Sequence, residues 1–289
     1  MIKKSYAKIN LALNIKQRYE NGYHELDMIM VKVNLYDKLY FTRLFNDEII
    51  ITSNNSFLPT NSKNLVYQVI EKFKKVYKIK SGIKVHMIKT VPMQAGLGGG
   101  SSNAAVTLEA MDEMFGTRMS LEEKVEFIKD FGSDIPFFLY KETCRVSGLG
   151  DVIQPVENHL SGVKVILVKP FLGVSTKLVY KNVDMDTCDH PDIEKLLVAI
   201  KEDDYGTVVQ NIKNSLQESA INIRPIIQTV MDKLNNLGVD VCMVSGSGTT
   251  IFALTKSEEV ATTVRQTLNT KGNFVFITEF LKEDQYDNR

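Results

Sequence analysis

A glycine-rich segment constrains this chain more than any other part of its sequence. It reads Val91-Pro-Met-Gln-Ala-Gly-Leu-Gly-Gly-Gly-Ser-Ser-Asn-Ala-Ala105, with four glycines followed at once by two serines. Apolar residues then recur at helical spacing, at Ala104, Ala105, Leu108, Met111 and Phe115. Glycine leaves no Cβ between the backbone and a bound group, and a helix start presents unpaired N–H groups and a positive dipole end. The pattern therefore predicts a phosphate cradle at the start of a helix.

Other kinds of glycine loop match this segment less well. A plain glycine turn that caps a helix stays open as the simplest alternative, although such a turn needs only one or two glycines. A P-loop needs Lys before its Ser or Thr, where this chain has Gly100, and a dinucleotide fingerprint needs Gly where this chain has Ser101. Asp130-Phe131-Gly132 spells a protein-kinase triplet, but no His-Arg-Asp loop precedes it, and a helix end capped by Gly132 is the simpler interpretation.

Composition narrows the partners that we expect. The 289 residues include 35 Lys and Arg against 35 Asp and Glu, a balance that gives no sign of nucleic acid as a partner. No apolar run approaches the ~20 residues that span a bilayer, and the first residues lack the apolar core of a signal peptide. The cysteines Cys144, Cys188 and Cys242 are too widely spaced to suggest a disulfide framework or a zinc site. We therefore expect a cytoplasmic protein with no membrane and no nucleic-acid partner.

The order of the predicted elements indicates an α+β fold. In the first half we predict strands at 8–14, 28–35, 38–42, 48–52 and 83–88, a helix over 65–76, and a second helix begun by a capping box at Ser120. In the second half we predict strands at 163–169, 239–244, 250–254 and 274–278, with helices near 192–200, 205–216, 225–237 and 257–268. Residues 155–162 are the predicted crossing between an N-terminal domain, 1–157, and a C-terminal domain, 158–289.

An acidic residue follows the Ser120 helix on a predicted turn. Asp134 precedes Ile135-Pro136 and an apolar run that we interpret as a strand. Proline disfavours helical geometry in the residue before it, so we expect Ile135 to be extended and to fix the direction of Asp134. A carboxylate in such a position can accept a proton, whereas an ordinary turn aspartate is the simpler alternative.

Three motifs occur in this order along the chain: Ala7-Lys8-Ile9-Asn10-Leu11, the loop Pro92–Ala105, and Ser245-Gly-Ser-Gly248. Their sequences and their order resemble those of the galactokinase, homoserine kinase, mevalonate kinase and phosphomevalonate kinase (GHMP) superfamily. Three more are similar to motifs of its 4-diphosphocytidyl-2-C-methyl-D-erythritol kinases: Asn21-Gly-Tyr-His-Glu25, Asn64-Leu-Val-Tyr67 and Gly132-Ser-Asp-Ile-Pro-Phe137. The resemblance covers nearly the whole chain. It implies a two-domain GHMP kinase fold, with an N-terminal ribosomal-protein-S5-like domain and a C-terminal ferredoxin-like domain.

The resemblance also implies an activity and a set of cofactors. The activity is ATP-dependent phosphorylation of the 2-hydroxyl of 4-diphosphocytidyl-2-C-methyl-D-erythritol, a step of non-mevalonate isoprenoid synthesis. The implied cofactors are ATP and Mg²⁺, the partner is the small-molecule substrate, and the protein is expected to be a monomer or a homodimer. Ser101 and Ser102 are candidates for a metal contact, but no glutamate ligand presents itself, so the metal ligands stay undetermined.

Site residues follow from the same resemblance. Lys8 and Asp134 match the catalytic pair. The implied ATP-binding residues are Pro92, Met93, Gln94, Ala95, Gly96, Leu97, Gly98, Gly99, Gly100, Ser101 and Ser102. The implied substrate-binding residues are Asn10, Tyr23, His24 and Tyr180, and the implied site-shaping residues are Ser245, Gly246, Ser247 and Gly248. An ammonium beside a carboxylate would hold the carboxylate ionised and stabilise a developing alkoxide, and an aromatic ring would stack on a pyrimidine.

Simpler interpretations and competing functions stay open beside these assignments. Lys8 alone would be an ordinary edge lysine, and Tyr23-His24 alone would be a core tyrosine and a loop histidine. The competing functions are another GHMP small-molecule kinase, against which Tyr23-His24 argues, and a non-catalytic nucleotide-binding relative, against which Lys8 and Asp134 argue. The chain departs from the family pattern at four positions, which are Tyr6, Leu149, Asp151 and Thr249. None of these departures removes a catalytic group.

Overall fold

The computed structural model describes residues 1–282 and 285, and its first half forms six strands and three α-helices. The strands are β1 (Ile2–Arg18), β2 (His24–Leu44), β3 (Ile49–Ser53), β4 (Gly82–Ile88), β5 (Thr143–Gly148) and β6 (Val152–Val156). The helices are α1 (Leu65–Tyr77), α2 (Gly99–Phe115) and α3 (Leu121–Ile128). The strands form one sheet in the order β3-β4-β2-β5-β6, with β1 also paired to β2.

Strand β2 organises this sheet. It runs for 21 residues without a break, so the two strands that we predicted on either side of Tyr36-Asp37 are one. Its first half pairs with β5 and its second half with β4, while β1 runs antiparallel beside both halves. The pairing of β1 with β2 runs from His24 to Tyr40 of β2 and includes three register shifts, one of them between Tyr6 and Ala7.

The second half of the chain forms a smaller antiparallel sheet in the order β10-β7-β9-β8. Its strands are β7 (Lys164–Pro170), β8 (Val241–Val244), β9 (Ile251–Thr255) and β10 (Asn273–Glu279). The helices of this half are α4 (Thr176–Lys181), α5 (Ile193–Lys201), α6 (Tyr205–Asn211), α7 (Gln217–Ile223), α8 (Ile226–Asn236) and α9 (Glu258–Leu268). The α+β fold that we predicted is confirmed. The strands predicted for this half and the helices near 192–200, 225–237 and 257–268 are present within a few residues. The helix predicted over 205–216 ends at Asn211, and α4 and α7 were not predicted.

Apolar packing joins the two sheets. One buried cluster takes Leu11 and Val31 from β1 and β2, and Leu167 and Phe252 from β7 and β9. Because burial of a full aliphatic or aromatic side chain contributes about 1.5–3 kcal/mol, this shared core holds the two halves together. We retain the boundary between residues 157 and 158 as a proposal. Within residues 1–282 and 285, no helix has both the length and the apolar character that a membrane crossing requires.

The segment after Asp134 differs from our prediction. Residues Pro136–Leu139 form a short 3₁₀-helix instead of a strand, and Ile135 before it is helical, with φ −69° and ψ −44°. The extended conformation predicted for Ile135 is therefore wrong. Proline is well tolerated at the first position of a helix, and a short apolar run does not by itself distinguish a strand from a buried helical turn. The predicted capping box at Ser120 is confirmed, with both of its hydrogen bonds to Glu123 present.

Candidate active site

The glycine segment forms a tight loop at the start of α2. Gly98 is the residue before the helix, with φ 65°, and no side chain caps the helix there. A Cβ on Gly98 would lie 2.5 Å from the Phe138 ring, and a Cβ on Gly96, where φ is 73°, would lie 2.4 Å from the Ser245 carbonyl oxygen. Glycine is therefore required at both positions. The first residues of α2, Gly99, Gly100 and Ser101, line a cavity, and their backbone N–H groups have no partner within the helix.

A buried polar network centred on Asp37 fixes the residues that lead into this loop. The Asp37 carboxylate accepts hydrogen bonds from the backbone N–H groups of Thr90, at 2.7 Å, and Val91, at 2.9 Å, and it forms an ion pair with Lys89. Lys89 also donates to the Asn103 amide oxygen at 2.9 Å, and Asn103 donates to Asp37 at 3.0 Å. Sequence reasoning missed this network because Asp37 is distant in sequence from the glycine segment and belongs to no motif, and nothing local shows that it pairs with Lys89 and Asn103. They fix the entry and the first turn of the cradle.

A cavity of about 330 Å³ opens in front of the cradle. From the predicted ATP-binding set it is lined by Pro92, Met93, Gln94, Ala95, Gly96, Leu97, Gly98, Gly99, Gly100 and Ser101. Lys63, Asn64 and Lys89 line it as well. Ser102 is the exception, because it is 1% exposed and its hydroxyl accepts a hydrogen bond from Ser5 at 2.7 Å. The cavity thus combines open amides with lysine charges, as a polyphosphate site requires.

Lys8, Asn10 and Asp134 lie together at one end of this loop. The Lys8 ammonium donates to the Asn10 amide oxygen at 2.6 Å and lies 3.4 Å from the Asp134 carboxylate. The Lys8 side chain is only 5% exposed, whereas that of Asp134 is 40% exposed and open to an incoming group. The Lys8 backbone N–H donates to the Leu97 carbonyl at 3.0 Å, which ties strand β1 directly to the glycine loop.

The third motif closes the same site from the other half of the chain. The Ser245 hydroxyl accepts from the Asn10 backbone N–H at 3.4 Å and donates to the Gly96 carbonyl at 3.2 Å. Asn214 donates to the Gly246 carbonyl at 2.8 Å, and the Ser247 hydroxyl shares a hydrogen bond with Thr176 at 2.8 Å. These contacts make the motif a bridge between β1, the glycine loop and the smaller sheet. Thr249, one of the positions at which the chain departs from the family pattern, donates a hydrogen bond from its hydroxyl to the Leu172 carbonyl at 2.9 Å.

A second cavity, of about 440 Å³, lies on the other side of the loop. It brings together all four residues predicted to bind substrate, Asn10, Tyr23, His24 and Tyr180, with Lys8 and Asp134. Tyr23 is 63% exposed, while His24 is buried, with its ring 5.2 Å from that of Tyr180. Among the described residues, His24 Nε2 has no hydrogen-bond partner. An unpaired buried nitrogen is costly, so a polar ligand atom is the expected partner.

Charge and burial set the protonation states in this second cavity. Burial, together with the charge of Arg18, lowers the pKa of His24, so its imidazole is neutral near pH 7. Burial also raises the pKa of the Tyr180 hydroxyl, and the nearby Asp134 carboxylate adds to that effect. A neutral histidine and a protonated tyrosine can exchange hydrogen bonds with an uncharged heterocycle, such as a nucleobase.

The two cavities meet at the glycine loop. Gly96 and Gly98 line both of them, and the Lys8–Asp134 pair stands on the side of the second. A phosphate bound to the open amides of α2 would therefore be separated from a group in the second cavity only by Gly96 and Gly98. Such an arrangement is suited to direct group transfer between two bound molecules.

The described residues contain no group of three or more His, Cys, Asp and Glu side chains that could hold a metal ion. At the junction, Asp134 supplies a carboxylate and Ser101 lines the adjoining cavity. Mg²⁺ usually binds through one or two carboxylates, substrate phosphates and water, so this sparse donor set fits a metal that enters already bound to a nucleotide. Of the two serines that we predicted as candidates for a metal contact, Ser101 lines the cavity and Ser102 is buried.

Comparison with known proteins finds a matching family model in each half of the chain. Residues 64–142 match the GHMP kinases N terminal domain, and residues 196–273 match the GHMP kinases C terminal domain. A Bacillus licheniformis protein named 4-diphosphocytidyl-2-C-methyl-D-erythritol kinase is 33% identical to this chain, and the alignment covers 89% of each of the two sequences. A Streptococcus mutans protein that carries the same name provisionally is 40% identical over 90% of this chain and 92% of its own.

Solved structures give the same result for the fold. The crystal structure of a 4-(cytidine 5'-diphospho)-2C-methyl-D-erythritol kinase superposes with a TM-score of 0.80 and 26% identity, covering 96% of this chain and 99% of that one. A homoserine kinase from Cytophaga hutchinsonii superposes with a TM-score of 0.74 and 17% identity, over 96% and 95% of the two chains, which speaks for the fold alone. The predicted two-domain GHMP kinase fold is therefore confirmed.

Proposed function

This chain belongs to the 4-diphosphocytidyl-2-C-methyl-D-erythritol kinase family of the GHMP kinases, and we propose that its two adjoining cavities carry out the reaction of that family. The reaction is ATP-dependent phosphorylation of the 2-hydroxyl of 4-diphosphocytidyl-2-C-methyl-D-erythritol, in non-mevalonate isoprenoid synthesis. The observation that carries the proposal is the position of the Lys8–Asp134 pair, which lies where the amide-lined cavity meets the cavity of Tyr23 and His24.

ATP occupies the first cavity, with its phosphates on the open amides of the glycine loop. Amides at the start of a helix carry partial positive charge and need no reorganisation when charge builds on the transferred phosphoryl group. Lys89 lies beneath the loop, and its ammonium is 3.5 Å from where a Gly99 Cβ would be. We assign two supporting roles to Lys89. Its positive charge stabilises the bound phosphates, and its contacts with Asn103 and Asp37 fix the position of the loop.

The acceptor hydroxyl approaches from the second cavity. Its oxygen forms a bond to the γ-phosphorus, the bond from that phosphorus to the ADP oxygen breaks, and the hydroxyl proton passes to the Asp134 carboxylate. Lys8 stabilises the negative charge on the reacting oxygens, and Asn10 holds the Lys8 ammonium in place. In phosphoryl transfer, positioning and charge stabilisation account for most of the catalysis. The geometry of this cluster suits both tasks.

Mg²⁺ is proposed as part of the nucleotide substrate, where it would neutralise phosphate charge. Ser101, which lines the ATP cavity, and Asp134, which lines the adjoining cavity, are the residues that would hold it. The rest of the proposal is that the protein is cytoplasmic, acts as a monomer or a homodimer, and has no nucleic-acid or membrane partner. The balance of 35 basic and 35 acidic residues supports the absence of a nucleic-acid partner.

The cytidine base is proposed to bind against Tyr23, His24 and Tyr180. The exposed ring of Tyr23 offers one face to the base, and the unpaired His24 Nε2 offers a hydrogen bond to its polar edge. Mevalonate, homoserine and galactose carry no base and would leave these groups without a partner. A site that is built to pair with a substrate group discriminates strongly against analogues that lack the group.

Replacing Tyr23 with alanine should raise KM for the cytidylated substrate by about 10-fold, because stacking of an aromatic ring on a base contributes about 1–3 kcal/mol. The value of kcat should stay within about twofold, since the ring lies away from the transferred phosphate. Steady-state kinetics at saturating ATP give both constants, and Tyr23→Phe, which keeps the ring, is the matched control. An unchanged KM in the alanine variant would rule out stacking by Tyr23.

A substrate panel tests the proposed function as a whole. The purified protein is incubated with MgATP and, in separate reactions, with cytidylated methylerythritol, mevalonate, homoserine or galactose, and ADP release is followed. We expect turnover with the cytidylated substrate and at least a 100-fold lower kcat/KM with the other three, on the scale of sites that recognise a polar group. Equal turnover of a substrate without a base would reject the assignment of the second cavity.

A further inference from the structure

A second buried lysine stands directly opposite the catalytic lysine. Lys32 of β2 pairs in register with Lys8 of β1, so the two side chains leave the same face of the sheet. Both are nearly inaccessible, each 4% exposed. Two ammonium groups placed opposite each other repel, and burial adds to the cost, so each must be held by strong partners. The partners of Lys8 are Asn10 and Asp134.

Partners of Lys32 include two carbonyl groups at the far end of the segment that begins with Asp134. Its ammonium donates to the Phe138 carbonyl at 3.2 Å and to the Tyr140 carbonyl. It also lies 5.4 Å from the ring centre of Phe137 and 5.9 Å from that of Phe138. These carbonyls end the 3₁₀-helix Pro136–Leu139, where backbone oxygens carry partial negative charge and a cation is favourable.

The Pro136–Leu139 helix connects this contact to the reacting groups. It starts two residues after Asp134. Its Phe138 ring packs so closely against Gly98 that a Cβ on Gly98 would lie 2.5 Å from the ring. The same Cβ would lie 3.1 Å from Cγ of Lys8. The Phe138 ring of this helix therefore packs against the glycine cradle at a point that Lys8 also approaches. Asp134 precedes the helix by two residues, and Lys32 contacts its C-terminal end.

We propose that Lys32 is a positioning residue for phosphoryl transfer, which holds the Pro136–Leu139 helix so that Asp134 and the Phe138 ring keep their places beside Lys8 and Gly98. Lys32 reaches neither cavity of the proposed active site, so it acts through the helix. This inference rests on the proposed function for its kinetic consequences. Its structural part, the fixing of the helix by the lysine, stands independently.

Protonation of Lys32 gives the proposal a distinctive signature. Burial lowers the pKa of Lys32 to about 8, while the nearby carboxyl groups of Glu109 and Glu142 act in the opposite direction. Lys8 of β1 faces Lys32 of β2 in the register of the sheet. The further titratable or charged residues around the adjacent cavity are Lys3, Lys4, Tyr6, Asp112, Glu113, Arg118, Lys124 and Lys141. The protonated form makes the stronger, charge-assisted hydrogen bonds to the two carbonyls. As pH rises through about 8 the ammonium is lost, so kcat should fall on the alkaline side.

The test compares Lys32→Met, Lys32→Arg and Lys38→Met with the wild type. Lys38 is an exposed lysine of the same strand and serves as the matched control. Lys32→Met should lower kcat by about 10-fold or more, as expected for a shifted catalytic group, with both KM values within about threefold. Lys32→Arg keeps the charge at all accessible pH values, so its kcat should stay within about threefold and lose the fall above pH 8. Lys38→Met should match the wild type.

Hydrogen–deuterium exchange of the segment 134–140 provides a readout that needs no turnover. Exchange should be faster in Lys32→Met than in the wild type at pH 7, and unchanged in Lys38→Met. If the wild type fails to phosphorylate the cytidylated substrate, the proposed function fails while exchange still decides the structural part. A kcat within twofold of wild type in Lys32→Met, an alkaline fall that persists unchanged in Lys32→Arg, or unchanged exchange would each overturn the proposal. Should Lys32→Met not fold, the comparison of wild type with Lys32→Arg decides.

Discussion

Replacing Asp134 with asparagine should lower kcat by at least about 100-fold, the lower end of the range for a residue that transfers a proton. Asparagine keeps the size and the hydrogen-bonding shape of the side chain but cannot accept the hydroxyl proton. It also removes the negative charge that lies 3.4 Å from Lys8. The side chain is 40% exposed, so the fold should be retained. Stopped or steady-state assays of ADP release measure kcat directly.

Asp130→Asn is the matched control for this prediction. Asp130 lies four residues earlier, its side chain is 74% exposed, and its only ion pair among the described residues is a 3.6 Å surface contact with Lys72. Exposed pairs of this kind contribute about 0–1 kcal/mol, so neither stability nor kcat should change measurably. A kcat near the wild-type value in Asp134→Asn would remove Asp134 from the reaction.

Replacing Gly96 with alanine should lower kcat/KM for ATP by at least about 100-fold, because displacement of a reacting group by about 1 Å is enough for such a loss. The added Cβ would lie 2.4 Å from the Ser245 carbonyl oxygen, and the backbone at φ 73° is unfavourable for alanine by about 1–2 kcal/mol. The loop must therefore separate from the third motif or change conformation. Either movement displaces the open amides from the phosphates.

Gly100→Ala separates backbone strain from the mere addition of a methyl group. Nothing lies within 4 Å of a Cβ at this position, and Gly100 is within helix α2, where alanine is favoured over glycine. Thermal melting should show a clear loss of stability in Gly96→Ala and none in Gly100→Ala. An unchanged kcat/KM for ATP in Gly96→Ala would mean that the cradle does not hold the nucleotide phosphates.

The local chemistry of the site could be predicted from the sequence. Four glycines ahead of a helical pattern indicated the cradle, because only a few backbone conformations need so many residues without a Cβ. The Ser120 capping box gave the start of α3 for a similar reason, since Ser and Glu three residues apart satisfy specific backbone groups. Assignments to Lys8, Asn10 and Asp134 needed the family resemblance, because an isolated lysine or aspartate carries no local signal.

The contacts between distant segments could not be predicted. Asp37 lies in β2 and Lys89 directly follows β4, so only the pairing of these two strands brings the ion pair together, and no periodicity encodes that pairing. The same limit hid Lys32, whose carbonyl partners lie more than a hundred residues further along the chain. Ile135 shows a different limit. Its neighbour Pro136 disfavours helical geometry, but burial of Phe137 and Phe138 in a helical turn outweighs that local preference.

Crystals grown with cytidylated methylerythritol and a non-hydrolysable ATP analogue test the central claim most directly. The triphosphate should lie within hydrogen-bond distance of the backbone N–H groups between Gly98 and Ser101. The substrate 2-hydroxyl should lie within about 3.5 Å of both the γ-phosphorus and the Asp134 carboxylate, as a reactive arrangement requires. A triphosphate bound away from the glycine loop, or a 2-hydroxyl remote from Lys8 and Asp134, would contradict the account.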